Sequence, residues 1–172
     1  MSKQPEAYID FEVYEDSVNL VGVAKVTPPD VEFLTASLTG AGITGTVEAV
    51  LIGMVNAMTT TLNFRSVTDA ATKLMSPKKH QLDLRVAEQY WDTVNAEKEI
   101  WADKYVLIVV PKKTSIGEIA PASAANVSGE YTTYYYAAYK DGKQLWEIDP
   151  FNQKCVVDGV DYLADVRKAL GK

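Results

Sequence analysis

The stretch from Gly40 to Phe64 constrains the fold most, because its residue types decide between a helix and a set of strands. Gly40, Gly42 and Gly45 spell G-x-G-x-x-G after the run Val31 to Thr39, the pattern by which a strand passes into a helix in dinucleotide-binding sites. Val47, Val50, Leu51, Met54, Val55 and Met58 do recur at helical spacing. Composition argues the other way. Thr44, Thr46, Val47, Val50, Ile52, Val55 and Thr59 to Thr61 are β-branched, which restricts χ1 and suits a pleated surface better than a helix, and Gly53 would fall inside the helix. The acidic residue that a ribose needs about twenty positions further on is Asp69, which lies beyond the Thr-rich segment. The expectation is a Thr46–Phe64 hairpin. Thr46, Glu48 and Val50 face one way and Val47, Ala49 and Leu51 the other; the chain turns between Gly53 and Asn56, and Ala57 to Phe64 returns. The three glycines are then turn residues that permit positive φ. A dinucleotide-binding enzyme using Gly40, Gly42 and Gly45 is the alternative.

The rest of the chain supports a mainly β protein. Tyr8, Asp10, Glu12 and Tyr14 alternate with Ile9, Phe11 and Val13, a strand with one apolar face. Val18 to Val26 forms a second strand ended by Pro28-Pro29, and Val31 to Thr39 a third. Val67 to Met75 is a short helix, with Ser66 or Thr68 to cap it. From Gln81 the alternation resumes, with Leu82, Leu84, Val86 and Tyr90 inward, and the unbroken apolar run ending at Val110 suits a strand buried on both faces. Pro111 to Gly129 reads as a long loop that orders against a neighbouring subunit. Tyr131 to Tyr139 alternates as a strand, and Asp141-Gly142 is a type I′ turn signal between it and Gln144 to Asp149. Asp161 is placed to cap a final helix whose stripe of Tyr162, Leu163, Val166 and Leu170 should pack on the sheet. The fold expected is a β-sandwich or open barrel with one or two short helices, in a single domain over 1–172.

Composition narrows the function. With 47% hydrophobic and 23% charged residues the chain is of globular type, and its N-terminus lacks the apolar core of a signal peptide, which points to a cytoplasmic site of synthesis. A net charge of −6 disfavours gripping nucleic acid, which needs clustered cations against phosphates. His80 is the only histidine and Cys155 the only cysteine. A histidine or cysteine metal cluster within one chain is therefore excluded, as is an intrachain disulfide. Lys78 and Lys79 suggest that His80 lies in an exposed turn, and the segment Cys-Val-Val suggests a buried structural Cys155. Asp10, Glu12, Glu15 and Asp16 lack the spacing of a calcium loop. Tyr134 to Tyr136 lack the interleaved cations of a base-stacking platform and read as packing residues. No catalytic, cofactor or metal residue is assigned.

Two blocks carry a family resemblance. Gly40-Ala-Gly42-Ile-Thr-Gly45 before a hairpin, together with Tyr139-Lys-Asp141-Gly142-Lys-Gln-Leu-Trp146-Glu-Ile-Asp149 and Asp158-Gly-Val-Asp161, resembles the major tail tube proteins of contractile-tailed bacteriophages. The resemblance runs from about Val18 to Gly171 and is loosest from Trp91 to Gly129. It implies a structural subunit of the inner tube of a phage tail or bacteriocin-like particle. Hexameric rings would stack into a conduit, with a long hairpin from each subunit joined into one β-barrel lumen. The partners it implies are further copies, the sheath, the tail tip, a tape-measure protein and a tail terminator, with DNA passing and not held. On this reading Thr46, Glu48, Thr59, Thr61 and Asn63 are lumen-facing candidates, because Val47, Leu51, Leu62 and Phe64 need the opposite side. Gly40, Gly42, Gly45, Asp141 and Gly142 are turn or assembly candidates.

Overall fold

The tyrosine-rich strand is the member around which the others are arranged. The computed structural model describes residues 2–172 and contains, in order, β1 (Lys3–Glu15), β2 (Val18–Asn19), β3 (Val23–Thr27), β4 (Phe33–Leu38), β5 (Val47–Val55), β6 (Met58–Phe64), α1 (Asp69–Leu74), β7 (His80–Asp92), β8 (Glu97–Ser115), β9 (Val127–Lys140), β10 (Lys143–Asp149), β11 (Lys154–Val157), β12 (Val160–Asp161) and α2 (Ala164–Ala169). On one edge β9 pairs with β8 from Asp103↔Lys140 to Ser115↔Ser128. Its other edge is shared: β6 takes Val127 to Thr133 and β10 takes Tyr136 to Lys140. Two sets of neighbours explain why aromatic and apolar residues occupy both faces, and why Ala137 and Ala138 are both buried. Gly129 is needed for a different reason. A Cβ there would lie 2.4 Å from the hydroxyl of the fully buried Tyr131, whose ring folds back over the glycine.

Outward from β8 the antiparallel sheet continues through β7, β1 and the short β2, while β3 lies on β6 and β11 and β12 extend β10. The sheet curls around Leu62, Phe64, Leu82, Leu84, Leu107, Val109 and Tyr131. Among the described residues no ladder joins β3 back to β1 or β2, so the barrel stays open. α1 inserts Ala71 and Leu74 into this core, and the Ala71 N–H donates to its cap, Thr68 Oγ1, at 3.2 Å. β7, β8 and the first half of β1 run beyond the end of β9 as a three-stranded arm, since Glu97 to Ala102 pair with β7 but not with β9.

Several expectations require correction. The return strand after Gly53 does not pair with the one before it. β5 pairs with β4, through Thr35↔Val50 and Leu38↔Val47, in a separate two-stranded ribbon, whereas β6 joins β3 and β9. Burial is the cause: Met58, Thr60, Leu62 and Phe64 all point into the core, a demand that only a place between β3 and β9 meets, while alternate residues of β5 stay exposed. Residues 56–57 therefore carry the chain from one sheet to the other, and the Asn56 N–H closes the base of the ribbon on the Glu32 carbonyl at 2.7 Å. The Pro111–Gly129 loop shortens to residues 116–126, because β8 absorbs Pro111 at a register shift where its missing N–H does little harm. A bulge between Tyr8 and Asp10 leaves Ile9 exposed and turns Tyr8 toward Leu84 and Tyr105. Val18 to Val26 breaks at Gly22, φ +94°, into two strands.

His80 is not in an exposed turn but fully buried as the first residue of β7. Its Nδ1 lies 2.5 Å from Glu15 Oε1, and Nε2 donates to the Ser76 carbonyl at 3.0 Å. The final helix also differs. Asp161 belongs to β12, accepts the Leu163 N–H at 3.0 Å and holds Arg167 at 2.5 Å, and of the expected stripe only Leu163 is buried, with Tyr162, Val166 and Leu170 exposed.

Candidate functional site

In a chain whose core is already filled, the surfaces left unsatisfied are the candidates. The ribbon of β4 and β5 is the first. Each strand has one bonded neighbour, β4 carries no charged residue and β5 carries only Glu48. Val50 and Ile52 are 63% and 67% exposed, and Leu38 and Val47 are exposed at the far end. An isolated two-stranded ribbon is marginal in water, and a charge-poor free edge is an invitation to another strand. The free edge of β1 is different. Pro5, register shifts on either side of Tyr8, and the acidic Glu6, Asp10 and Glu12 all discourage pairing there.

Gly40, Gly42 and Gly45 lie at the tip of this ribbon and not at the base of a hairpin. Their φ values are +141°, +86° and +107°, and the Ile43 N–H donates to the Gly40 carbonyl at 3.1 Å. A Cβ at any of the three would meet nothing within 4 Å, so the glycines answer to backbone conformation and not to a close approach. They lead into the strand β5, whereas a dinucleotide fingerprint must open a helix whose N-terminus seats the pyrophosphate.

The five lumen-facing candidates fall into two groups. Thr46 precedes β5, and Glu48 sits on the ribbon, accepting from Thr35 Oγ1 at 2.8 Å. Thr59, Thr61 and Asn63 share the outer face of β6, half-buried, in register with Thr132, Glu130 and Ser128 of β9 and with Thr27 and Lys25 of β3. Behind them Thr60 and Thr133 share a buried hydroxyl hydrogen bond of 2.6 Å. Asp141 and Gly142 have φ of +47° and +80°, both positive as a type I′ turn requires, and the Asp141 N–H donates to the Ala102 carbonyl at 2.8 Å.

That turn brings Lys140 to a cluster that sequence reading missed. Its ammonium lies 2.6 Å from Glu88, 3.8 Å from Asp103 and 5.1 Å from the ring centre of Tyr90, which stacks on Trp101 at 4.5 Å. Asp103 is buried, and its Oδ1 has no hydrogen-bond partner among the described residues. Burial first, and the neighbouring Glu88 carboxylate after it, push its carboxyl up to about 6, against the lowering pull of Lys140. Tyr131 is likewise pushed up to about 12 by burial, with Glu15 adding to it. The signal was present in the pattern: Glu88 stands between Val86 and Tyr90 on the inward parity of β7, and His80 continues that parity from Leu82. Among the described residues no group of three His, Cys, Asp or Glu side chains is placed to hold a metal ion.

The open β-barrel thus leaves a charge-poor ribbon with unpaired strand edges. The sequence matches the phage tail tube protein FII family over residues 5–171. The chain belongs to that family. No curated protein matches it. Among solved structures, a chain from the PVC extracellular contractile injection system sheath/tube terminator in the extended state is 12% identical, covers 79% of this chain and 97% of its own length, and superposes with a TM-score of 0.54. A chain of the PVC sheath–tube complex, also extended, is 13% identical, covering 75% and 87% of the respective chains with a TM-score of 0.48. At that identity the terminator shares the fold and nothing more specific. Family membership gives the function. As a member of the tail tube family the protein is a structural subunit of the tail tube of a phage or phage-like particle, and not an enzyme.

Proposed function

We propose that six copies close into a ring through their β4–β5 ribbons, and that rings stack into a rigid hollow tube. The observation that carries this reading is the ribbon itself: two strands with free edges, Glu48 their one charged residue, and apolar side chains in water, on a molecule whose other long edge is guarded. Ribbon-to-ribbon pairing supplies the missing backbone partners, and a closed ring leaves no edge over. Thr59, Thr61 and Asn63, with Thr46 and Glu48 from the ribbon, contribute a hydroxyl-rich wall to the lumen. Lys25 stands in register with Asn63 and Glu130 with Thr61, so the wall has little net charge to hold phosphates and DNA transits without being bound. The tube works inside a sheath that drives it through an envelope. A tail tip, a tape-measure protein and a terminator complete the set of partners, and assembly takes place in the host cytoplasm.

The test uses Leu38 and Val47, which face each other across the ribbon. Leu38→Lys combined with Val47→Glu keeps an attractive cross-strand pair while making both edges charged. The wild type should give rings or tubes with a central hole in micrographs, six-fold in class averages, and the double variant should remain a folded monomer. Rings formed equally well by the double variant would remove the ribbon from the assembly, and a wild type that stays monomeric at high concentration would remove the ring.

A further inference from the structure

The loop between β8 and β9, residues 116–126, holds an apolar side chain out in water. Ile119 is 90% exposed, the highest value for a large apolar residue among those described, and Ile116 nearby is 53% exposed. Glu118 is the only charged residue in the loop. The loop closes on itself: Gly117 has φ +72°, a Cβ there would lie 1.8 Å from the Ala125 carbonyl oxygen, and its N–H donates to Ser115 Oγ at 3.3 Å. The closure fixes a base from which Ile119 projects. An isoleucine held in this way loses little further freedom on docking.

Elsewhere on the molecule is an open cavity of about 360 Å³ between the base of the ribbon and the C-terminal strands. Phe33, Val50, Ile52, Val157 and Tyr162 line it, and no charged side chain does. Its closed end is set by Gly53, where a Cβ would meet Leu163 at 2.6 Å and Cys155 at 3.2 Å. Cys155 pairs with Ile148, and Ile148 with Tyr136 of β9, whereas the loop joins β9 at Val127. That step along the strand is about 30 Å at the usual rise. One copy therefore cannot fill its own groove.

We infer that Ile119 of one copy docks in the Phe33–Val50–Ile52–Val157–Tyr162 groove of the next, a heterologous contact between copies of this chain. It rests on the self-assembly proposed above and adds to it a second joint, distinct from the ribbon edges. A knob and a hole at separate places on one surface repeat from copy to copy without closing on a pair, as stacking requires. The charged borders of the groove are mostly paired already, Lys154 with Glu147, Asp158 with Lys143 and Asp161 with Arg167; Lys168 and Lys172 at the end of α2 form no ion pair among the described residues and can meet Glu118 beside the knob. The apolar contact holds the joint and the charges around it set its orientation.

Two measurements test it on the full chain. Ile119→Asp alters an exposed residue and should leave the melting curve unchanged, while the sedimentable tube fraction falls about ten-fold or more and isolated rings accumulate. In a Cys155→Ser background, Ile119→Cys with Val157→Cys should give a ladder of disulfide-linked multimers on mild oxidation of assembled protein, and neither single variant should. Wild-type tube length with Ile119→Asp, or no ladder from the double variant in well-formed tubes, overturns this joint and leaves the ribbon ring standing. A wild-type chain that forms neither rings nor tubes overturns both.

Discussion

Glu15 Oε1 lies 2.5 Å from His80 Nδ1 where neither side chain reaches solvent, and the second carboxylate oxygen faces Lys73 Nζ at 3.3 Å. The ring also donates to Ser76 just beyond α1, so one carboxylate ties the end of β1 to the start of β7 and to the helix that plugs the core. Removing one partner of a buried pair strands the other without hydration. Glu15→Ala should therefore cost about 3 kcal/mol or more in urea unfolding, and Glu15→Gln, which can still hydrogen-bond, distinctly less. A loss below about 1 kcal/mol for the alanine variant would show the tie to be dispensable.

The Asp103 carboxyl should make stability fall as pH rises. Its value of about 6 in the folded protein stands above the usual aspartate range, so between about pH 4 and pH 6 the folded state holds a proton that the unfolded chain has released. The contribution is complete below the unfolded value and lost as pH rises through 6. The charged groups facing Asp103 are Glu88 from β7 and Lys140 from β9. Asp103→Asn imitates the protonated form. It should be more stable than wild type by about 1–2 kcal/mol at pH 7.5 and close to it at pH 4.5. Melting temperatures at the two values decide this, and a gap that does not narrow toward acid would refute it.

Two glycines with positive φ should respond unequally to valine. Gly42 stands in open space at the ribbon tip, so Gly42→Val meets backbone strain alone, about 1–3 kcal/mol, and that strain is confined to the tip. Gly53 has φ +67° and lies against Leu163, so Gly53→Val adds overpacking of about the same size again. Chemical denaturation should rank Gly53→Val well below Gly42→Val, whereas ring formation should suffer in both. Equal unfolding midpoints would contradict the contact with Leu163.

The lumen assignment can be tested by making the wall adhesive. Assembled wild-type tubes should retain negligible duplex DNA even at low salt, where attraction is screened least. Thr61→Arg lies on the outer face of β6 beside Glu130 and Thr27 and should introduce retention that falls steeply as salt is raised. If the arginine changes nothing, that face does not line the channel.

Much of this fold was legible from parity. The strand faces of β6 and β7, the Asp141–Gly142 turn and the α1 cap follow from alternation and turn chemistry, which are local properties, whereas β9 changes parity at a register shift and buries both Tyr131 and Tyr136. What escaped was set by distant partners. Nothing within Gly53 to Phe64 says that β6 belongs to a strand more than sixty residues downstream, because hairpin pairing and long-range pairing share one periodicity. Ile9 lay on the apolar parity of β1 until a bulge removed it, and a bulge leaves no mark in alternation. Glu15, His80 and Glu88 could have been found. Each occupies an inward position, and taking the pattern literally would have buried them before polarity was allowed to exclude them. The ribbon's apolar surface and the isoleucine loop could be read as strand and loop, but their exposure appears only once the core is seen to be complete without them.

The shared edge of β9 also dictates an order of events on the ribosome. β3, the ribbon and β6 emerge well before β9, and Thr60 finds Thr133 only after 73 further positions have been made. The β9–β10 hairpin closes quickly through its own turn, whereas docking of β6 waits for a long loop to close. Throughout that interval the nascent chain displays its stickiest strands with nothing to cover them. Neighbouring ribosomes on one message hold such chains at high local concentration, where premature pairing competes with folding. Translation thus delivers the adhesive half of the molecule before the half that restrains it.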